Sequence, residues 1–243
     1  MSSESQGVRI NKYLADKGLC SRREAETLIL NGWVKVNGKV LTELSFRVSK
    51  DDRVTLDEKV ETFLGQKQTV IINKPVGYVS GQAEEDYKPA IRLITPENYA
   101  GPKKPNNFSH KGFAPAGRLD IDSTGLLILT QNGKIAKKLI APDSKIEKEY
   151  VIRVEGEITH KKIDTLCFGL SLDGRKLKRA KVSRSDEDKL IFILTEGRKR
   201  QIRRMCELVD LNVVALTRVR IGGLQLGTLP LGQWRFLKKT DKI

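Results

Sequence analysis

The chain has 243 residues, of which 39% are hydrophobic, and carries 45 Lys and Arg against 30 Asp and Glu, a net charge of +15. A chain of this length supports one or two domains, and its apolar content excludes wholesale disorder. An excess of positive charge this large favours a polyanion, either nucleic acid or an acidic membrane face, while no apolar run approaches the roughly 20 residues of a membrane span.

Met1 to Gly7 has no apolar core of the secretory kind, so a cytoplasmic protein is expected. Cys20, Cys167 and Cys206 are far apart, odd in number and without a Cys-x-x-Cys pair, which points to reduced packing thiols rather than a disulfide frame or zinc. His110 and His160 are the only histidines, so histidine-based triads and His-rich metal sites are poorly supported.

Residues 9 to 57 read as a small α/β unit. Ile10 and Leu14 share one face of a short helix ending near Gly18. Ser21-Arg22-Arg23-Glu24 fits a capping box that opens a second helix, with Ala25, Leu28 and Ile29 inward and a stop at Asn31-Gly32. Val34-Lys35-Val36 alternates as a strand, and Asn37-Gly38 is the preferred two-residue hairpin turn before Lys39-Val40. Arg9, Lys12, Lys17, Arg22 and Arg23 crowd the helices, where basic side chains can grip phosphates or simply face solvent. The run from Arg9-Ile10-Asn11-Lys12-Tyr13-Leu14 through Ser21-Arg22-Arg23-Glu24-Ala25 to Val36-Asn37-Gly38 resembles the S-four-like RNA-binding domain, and the resemblance tips the choice towards RNA.

Residues 61–68 are expected to be a polar linker. Val70-Ile71-Ile72 follows as a buried strand and leads into Asn73-Lys74-Pro75-Val76-Gly77. Residues 81–113, rich in Pro, Lys, Asn and Gly, read as a long loop whose second half, Gly101 to Gly112, is expected to be flexible and basic. Gly133 to Ile140 looks helical, Glu149 to Val154 alternates as a strand, and Thr159 is placed to cap a helix through Ile163 and Leu166. Lys189 to Thr195 reads as a buried strand, Arg198 to Met205 as a highly charged helix start, Val213 to Ile221 as a strand and Pro230 to Leu237 as the closing segment. Several strands, few helices and no regular βαβ alternation give an α+β class.

The densest chemistry lies in Ala116-Gly117-Arg118-Leu119-Asp120-Ile121-Asp122-Ser123-Thr124-Gly125, which runs into the apolar strand Leu126 to Leu129. Gly117 and Gly125 bracket the turn, where a positive φ or a close backbone approach is cheap. Asp120-x-Asp122-x-Thr124-Gly125 has the start of a calcium loop, but the twelfth position, which needs a bidentate Glu, is Gln131. An aspartyl-phosphate transferase has a similar turn, but its apolar strand comes before the first Asp, not after it.

Taken together, Gly117-Arg118-Leu119-Asp120 with Gly125-Leu126-Leu127, the upstream Asn73-Lys74-Pro75-x-Gly77, Lys148-Glu149-Tyr150-Val151-Ile152 and Arg200-Gln201-Ile202-Arg203-Arg204-Met205 resemble the pseudouridine synthases. Their order behind an S-four-like domain, with Arg220-Ile221-Gly222-Gly223-Leu224 and Leu231-Gly232-Gln233-Trp234-Arg235 at the end, is similar to the RsuA/RluB/RluE/RluF group.

The resemblance implies an S-four-like domain over 7–60, the linker 61–68, and a catalytic domain over 69–243 with a long mixed or antiparallel sheet and a central cleft. It implies an RNA uridine-to-pseudouridine isomerase without a cofactor or metal, acting on ribosomal RNA. The large-subunit RNA is favoured, ahead of the small-subunit RNA or a transfer RNA, and the substrate is either free or within a pre-ribosomal particle. A monomer with no membrane association is expected.

By the same resemblance Asp120 is the catalytic aspartate and Tyr150 the active-site tyrosine, with Arg203 as the cation paired with Asp120. Arg118 fills the space of a flipped nucleotide, and Arg198, Lys199, Arg200 and Arg204 contact phosphates. Lys74 and Pro75 support the site from behind. The alternative from another class is a non-catalytic RNA-binding or ribosome-assembly factor.

Overall fold

Ile10 and Leu14 are both fully buried in the computed structural model, which describes residues 7–65, 67–81, 86–105, 110–141 and 143–243. The chain falls into two units, Met1–Gln68 with Thr130–Lys137, and Thr69–Leu129 with Lys138–Ile243.

In the smaller unit, helix α1 (Ile10–Asp16) closes at Gly18, whose φ of 69° is the left-handed value that a glycine adopts at little cost. Helix α2 (Arg22–Leu30) opens on the expected capping box. Ser21 Oγ accepts from Glu24 N–H at 3.2 Å, and Glu24 accepts from Ser21 N–H at 2.6 Å. Strand β1 (Val34–Val36) pairs with β2 (Lys39–Val40) across Asn37-Gly38, both at positive φ, and with β3 (Val54–Leu56) on its other side. The expected linker 61–68 is helical through Gly65. Helix α3 (Lys59–Gly65) forms because Val60, Phe63 and Leu64, at helical spacing, pack onto the core of Ile10, Leu14, Leu28 and Ile29.

The larger unit is built on a mixed sheet. Its strands are β4 (Thr69–Lys74), β5 (Thr124–Thr130), β6 (Lys148–Glu155), β7 (Lys181–Asp186), β8 (Lys189–Leu194), β9 (Asn212–Ile221) and β10 (Trp234–Phe236). Their order across the sheet is β7-β8-β6-β9-β5-β4-β10, with short strands at Ala114–Pro115 and Leu224–Gln225 pairing β5 and β9. β5 and β9 run parallel, whereas β6 is antiparallel to both β8 and β9. Every residue of β4 is buried, the apolar run Val70 to Ile72 as expected and the polar Thr69, Asn73 and Lys74 with it. Helix α4 (Gly133–Ile140) follows β5, and α5 (His160–Cys167) starts at Thr159, whose hydroxyl accepts from Lys162 N–H.

Two expectations need correction here. Within the expected long loop 81–113, Lys88–Pro89 pairs with Tyr78–Val79, and a 3-10 turn over Ala90–Leu93 buries Ala90, Leu93 and the following Ile94. Tyr99 packs on Trp234 at 4.8 Å between ring centroids. The surrounding Pro and Lys mask this short apolar run in the sequence. Residues 106–109, in the segment expected to be flexible, lie outside the described residues. The charged helix begins at Gln201 rather than Arg198 and is α6 (Gln201–Glu207). Arg200 precedes it at φ 52°, and three consecutive cations at a helix N-terminus would oppose the macrodipole.

Candidate active site

The turn carrying Asp120 is held from several sides. Ser80 Oγ donates to Leu119 O at 2.7 Å and accepts from Leu119 N–H at 2.8 Å. Gly77 N–H donates to Ile121 O, and Lys74, fully buried, donates from Nζ to Pro75 O at 2.8 Å and Tyr78 O at 2.9 Å. Burial pushes the Lys74 ammonium down to about 8, although Asp122 and Asp120 favour its charge. Lys74 and the segment up to Ser80 thus form the support expected behind the turn.

At the other end of the turn Gly125 has a φ of 103°, and a Cβ there would lie 2.3 Å from Arg218 O of β9. Only glycine permits that strand approach.

Asp120 lines a cleft of about 990 Å³ together with Arg118, Lys148, Tyr150, Arg203 and Arg218. Among the described residues its carboxylate has no hydrogen-bond or ion-pair partner. Tyr150 is 8% exposed and sits on β6 opposite Phe192 of β8 and Arg218 of β9.

A bulge at Val219 decides which arginine faces the cleft. Glu149 pairs with Arg220 and Tyr150 with Arg218, so the extra residue sends the two arginines to opposite faces of the sheet. Arg220 binds Glu149 and Glu147. Arg218, 1% exposed, donates to Leu126 O at 2.8 Å, Arg118 O at 3.2 Å and Gly117 O at 3.3 Å, stitching β9 to the start of the turn.

Contrary to the expectation from sequence, Arg203 does not hold Asp120; its partner is the neighbouring acid. Its Nε lies 3.2 Å from Asp122 Oδ2, its Nη2 donates to Asp122 O at 2.9 Å and its Nη1 donates to Val213 O at 2.8 Å. Arg200 Nη1 reaches the same carboxylate at 2.8 Å. Burial opposes the Asp122 charge, but the Arg200 hydrogen bond and the charges of Arg203 and Arg200 outweigh it and hold the carboxyl below its usual range. The two acids of the turn therefore divide the work, Asp122 as the anchor and Asp120 facing the cleft.

Two other cations of this loop are also committed to protein acceptors. Arg198 donates to Leu172 O, Arg175 O and Lys176 O, and Arg204 forms a two-pronged pair with Asp173. Both therefore bind the hairpin Ser171–Lys176, which is at odds with a phosphate role for them. Lys199 is exposed at the cleft rim.

Arg9, Lys12, Lys17, Arg22 and Arg23 belong to the smaller unit. All five are exposed and lack an acidic partner among the described residues. Sequence reasoning assigns no role to Lys148, Arg218 or Ser80. A lysine two positions before Tyr150 on the same strand face is a signal for Lys148, whereas Arg218 shares its strand with Arg220 and spacing alone does not separate the two. Ser80 has none, since its partner is 39 residues away.

The fold is that of a known enzyme class. Residues 68–208 match the RNA pseudouridylate synthase family and residues 8–54 match the S4 domain. The dual-specificity RNA pseudouridine synthase RluF of Escherichia coli is 35% identical over 238 residues, covering 97% of this chain and 77% of RluF. The ribosomal large subunit pseudouridine synthase B of Pseudomonas aeruginosa is 32% identical, covering 97% of this chain and 61% of its own. A crystal structure of a pseudouridylate synthase superposes with a TM-score of 0.67 at 24% identity, covering 97% of this chain and 98% of the other. The chain belongs to the RNA pseudouridine synthase family and is an isomerase with an N-terminal S4 domain. Among the described residues no helix is long and apolar enough to cross a membrane.

Proposed function

We propose that this protein isomerises a specific uridine of ribosomal RNA, with large-subunit RNA as the preferred substrate and Asp120 as the catalytic carboxylate. The observation that carries the reading is the division of the turn. Asp122 is anchored by Arg200 and Arg203, while Asp120 faces the cleft beside Tyr150 without a protein partner among the described residues. A carboxylate bonded to no other group is available to react with the ribose or the base. The substrate preference is supported by one relative's name as a large-subunit enzyme; another relative is named as dual-specific.

In this reading Tyr150 stacks on the uracil and Arg118 occupies the space left by the flipped nucleotide, offsetting an extrusion cost of a few kcal/mol. Arg203 acts through Asp122 by fixing the turn. Lys199 is the phosphate contact of the loop. RNA recognition belongs to the unit beginning at residue 7, where Arg22 and Arg23 sit in the first turn of α2, a position disfavoured for cations unless an anion binds there. Catalysis belongs to residues 69–243. The protein acts as a cytoplasmic monomer without a cofactor, since the isomerisation needs no redox or energy input.

The test is tritium release from ribosomal RNA transcripts labelled at C5 of uracil, with transfer RNA and pre-ribosomal particles assayed alongside. Release by the wild type, reduced at least about 10³-fold by Asp120→Asn with RNA affinity kept, is the expected outcome. Tight binding without release from any RNA would establish a non-catalytic RNA-binding factor instead.

A further inference from the structure

Lys148 lines the same cleft as Asp120 and Tyr150. Its Nζ has one long hydrogen bond, 3.4 Å to Ile146 O, and no carboxylate partner among the described residues. Three other cleft cations are engaged by protein groups. Arg200 and Arg203 are paired with Asp122, and Arg218 donates to three carbonyls. Burial, then the charges of Arg218 and Lys178, pull the Lys148 ammonium below its usual value. A half-buried ammonium among like charges is costly, and an anion entering the cleft relieves that cost.

The position of Lys148 says which anion. Lys148 and Tyr150 are alternate residues of β6 on one face, about 7 Å apart along the strand, a gap that the long lysine side chain can bridge. A ring stacked on Tyr150 therefore has an edge near Lys148. Exposed Lys199 at the rim is better placed for phosphate.

We propose that Lys148 is a second catalytic residue, whose ammonium stabilises the uracil anion while the base is detached from the ribose. This rests on the uridine-isomerase reading above. The C1′–N1 bond breaks with both electrons going to uracil, and the negative charge spreads onto O2 and O4. Lys148 donates a hydrogen bond to one of these oxygens and keeps its proton. The base turns and C5 bonds to C1′. The hydrogen on C5 leaves as a proton and N1 gains one, so neither protons nor electrons are gained or lost overall.

The test compares wild type, Lys148→Met, Lys148→Arg and Lys148→Ala by single-turnover tritium release at saturating enzyme, and by RNA affinity across a salt series. Lys148→Met should slow the saturated rate about 100-fold with affinity within about threefold and an unchanged salt slope, and Lys148→Arg should recover at least about a tenth of the rate. Propylammonium should raise the Lys148→Ala rate in proportion to its concentration, whereas tetramethylammonium, which has no N–H, should not. An intact saturated rate with weaker binding and a salt slope lower by about 0.7–0.9 would make Lys148 a phosphate contact and overturn the proposal. So would an unchanged variant, or a slow one that neither Arg nor propylammonium rescues. No release by the wild type from any RNA would remove the isomerase reading and this inference together.

Discussion

The Ser80 hydroxyl donates to Leu119 O and accepts from Leu119 N–H, so one small side chain satisfies both backbone groups of the residue before Asp120. Both partners are buried. Ser80→Ala would leave a donor and an acceptor without bonds in a dry site, at about 1–3 kcal/mol each. The expected result is a loss of about 2 kcal/mol or more in urea unfolding, with tritium release slowed because Leu119 no longer fixes its neighbour. An unchanged midpoint would mean that water replaces the hydroxyl. The turn of Asp120 and the strand of Tyr150 were legible in the sequence as local patterns, and both residues line the cleft, but their roles came from the resemblance alone. The partner of Arg203 was not legible. Two acids two positions apart in one turn are equivalent in spacing, and only the path of the turn delivers Asp122 to the arginine and leaves Asp120 facing the cleft.

Gly125 joins the turn to β5 and shows why the glycine pattern was readable before the fold was. The expectation of positive φ or close approach at Gly117 and Gly125 holds, and Gly125 needs both, with a φ of 103° and the β9 backbone 2.3 Å from its missing Cβ. Gly125→Ala should therefore destabilise by about 3 kcal/mol or more, since left-handed strain alone costs about 1–2 kcal/mol and the clash falls on backbone, not on a mobile side chain. Gly117→Ala makes a useful comparison. Its φ of 100° carries the strain, but a Cβ would meet only Ile140 at 4.0 Å, so thermal melting should show the smaller loss there. Equal losses would refute the clash. The first two helices and the hairpin of the smaller unit were legible because capping, hairpin and spacing signals agree locally, whereas helix α3 was hidden in a segment read as linker. The Val219 bulge was not legible, because a bulge is a property of two paired strands and the alternation of one strand does not reveal it.

The net charge of +15 divides into two populations that composition alone cannot separate. Arg198, Arg203, Arg204, Arg218 and Arg220 are engaged by carbonyls and carboxylates that hold the larger unit together. Their planar, multiply donating heads suit that work. Arg9, Lys12, Lys17, Arg22 and Arg23 in the smaller unit are exposed and have no acidic partner among the described residues, so their charge is available to an outside polyanion. Replacing these five by Gln in the intact chain should flatten the dependence of log affinity for RNA on log salt by about 0.7–0.9 for each phosphate no longer neutralised. The replaced side chains carry little apolar packing, so thermal stability should stay within about 1 kcal/mol of wild type. The kinetic loss should fall on KM more than on kcat, because these residues meet the RNA before and after the chemical step alike. An unchanged salt slope would show that RNA is gripped elsewhere, and the five cations would then be a solvated face. A fall in kcat as large as the rise in KM would instead show that their grip on the RNA tightens in the transition state.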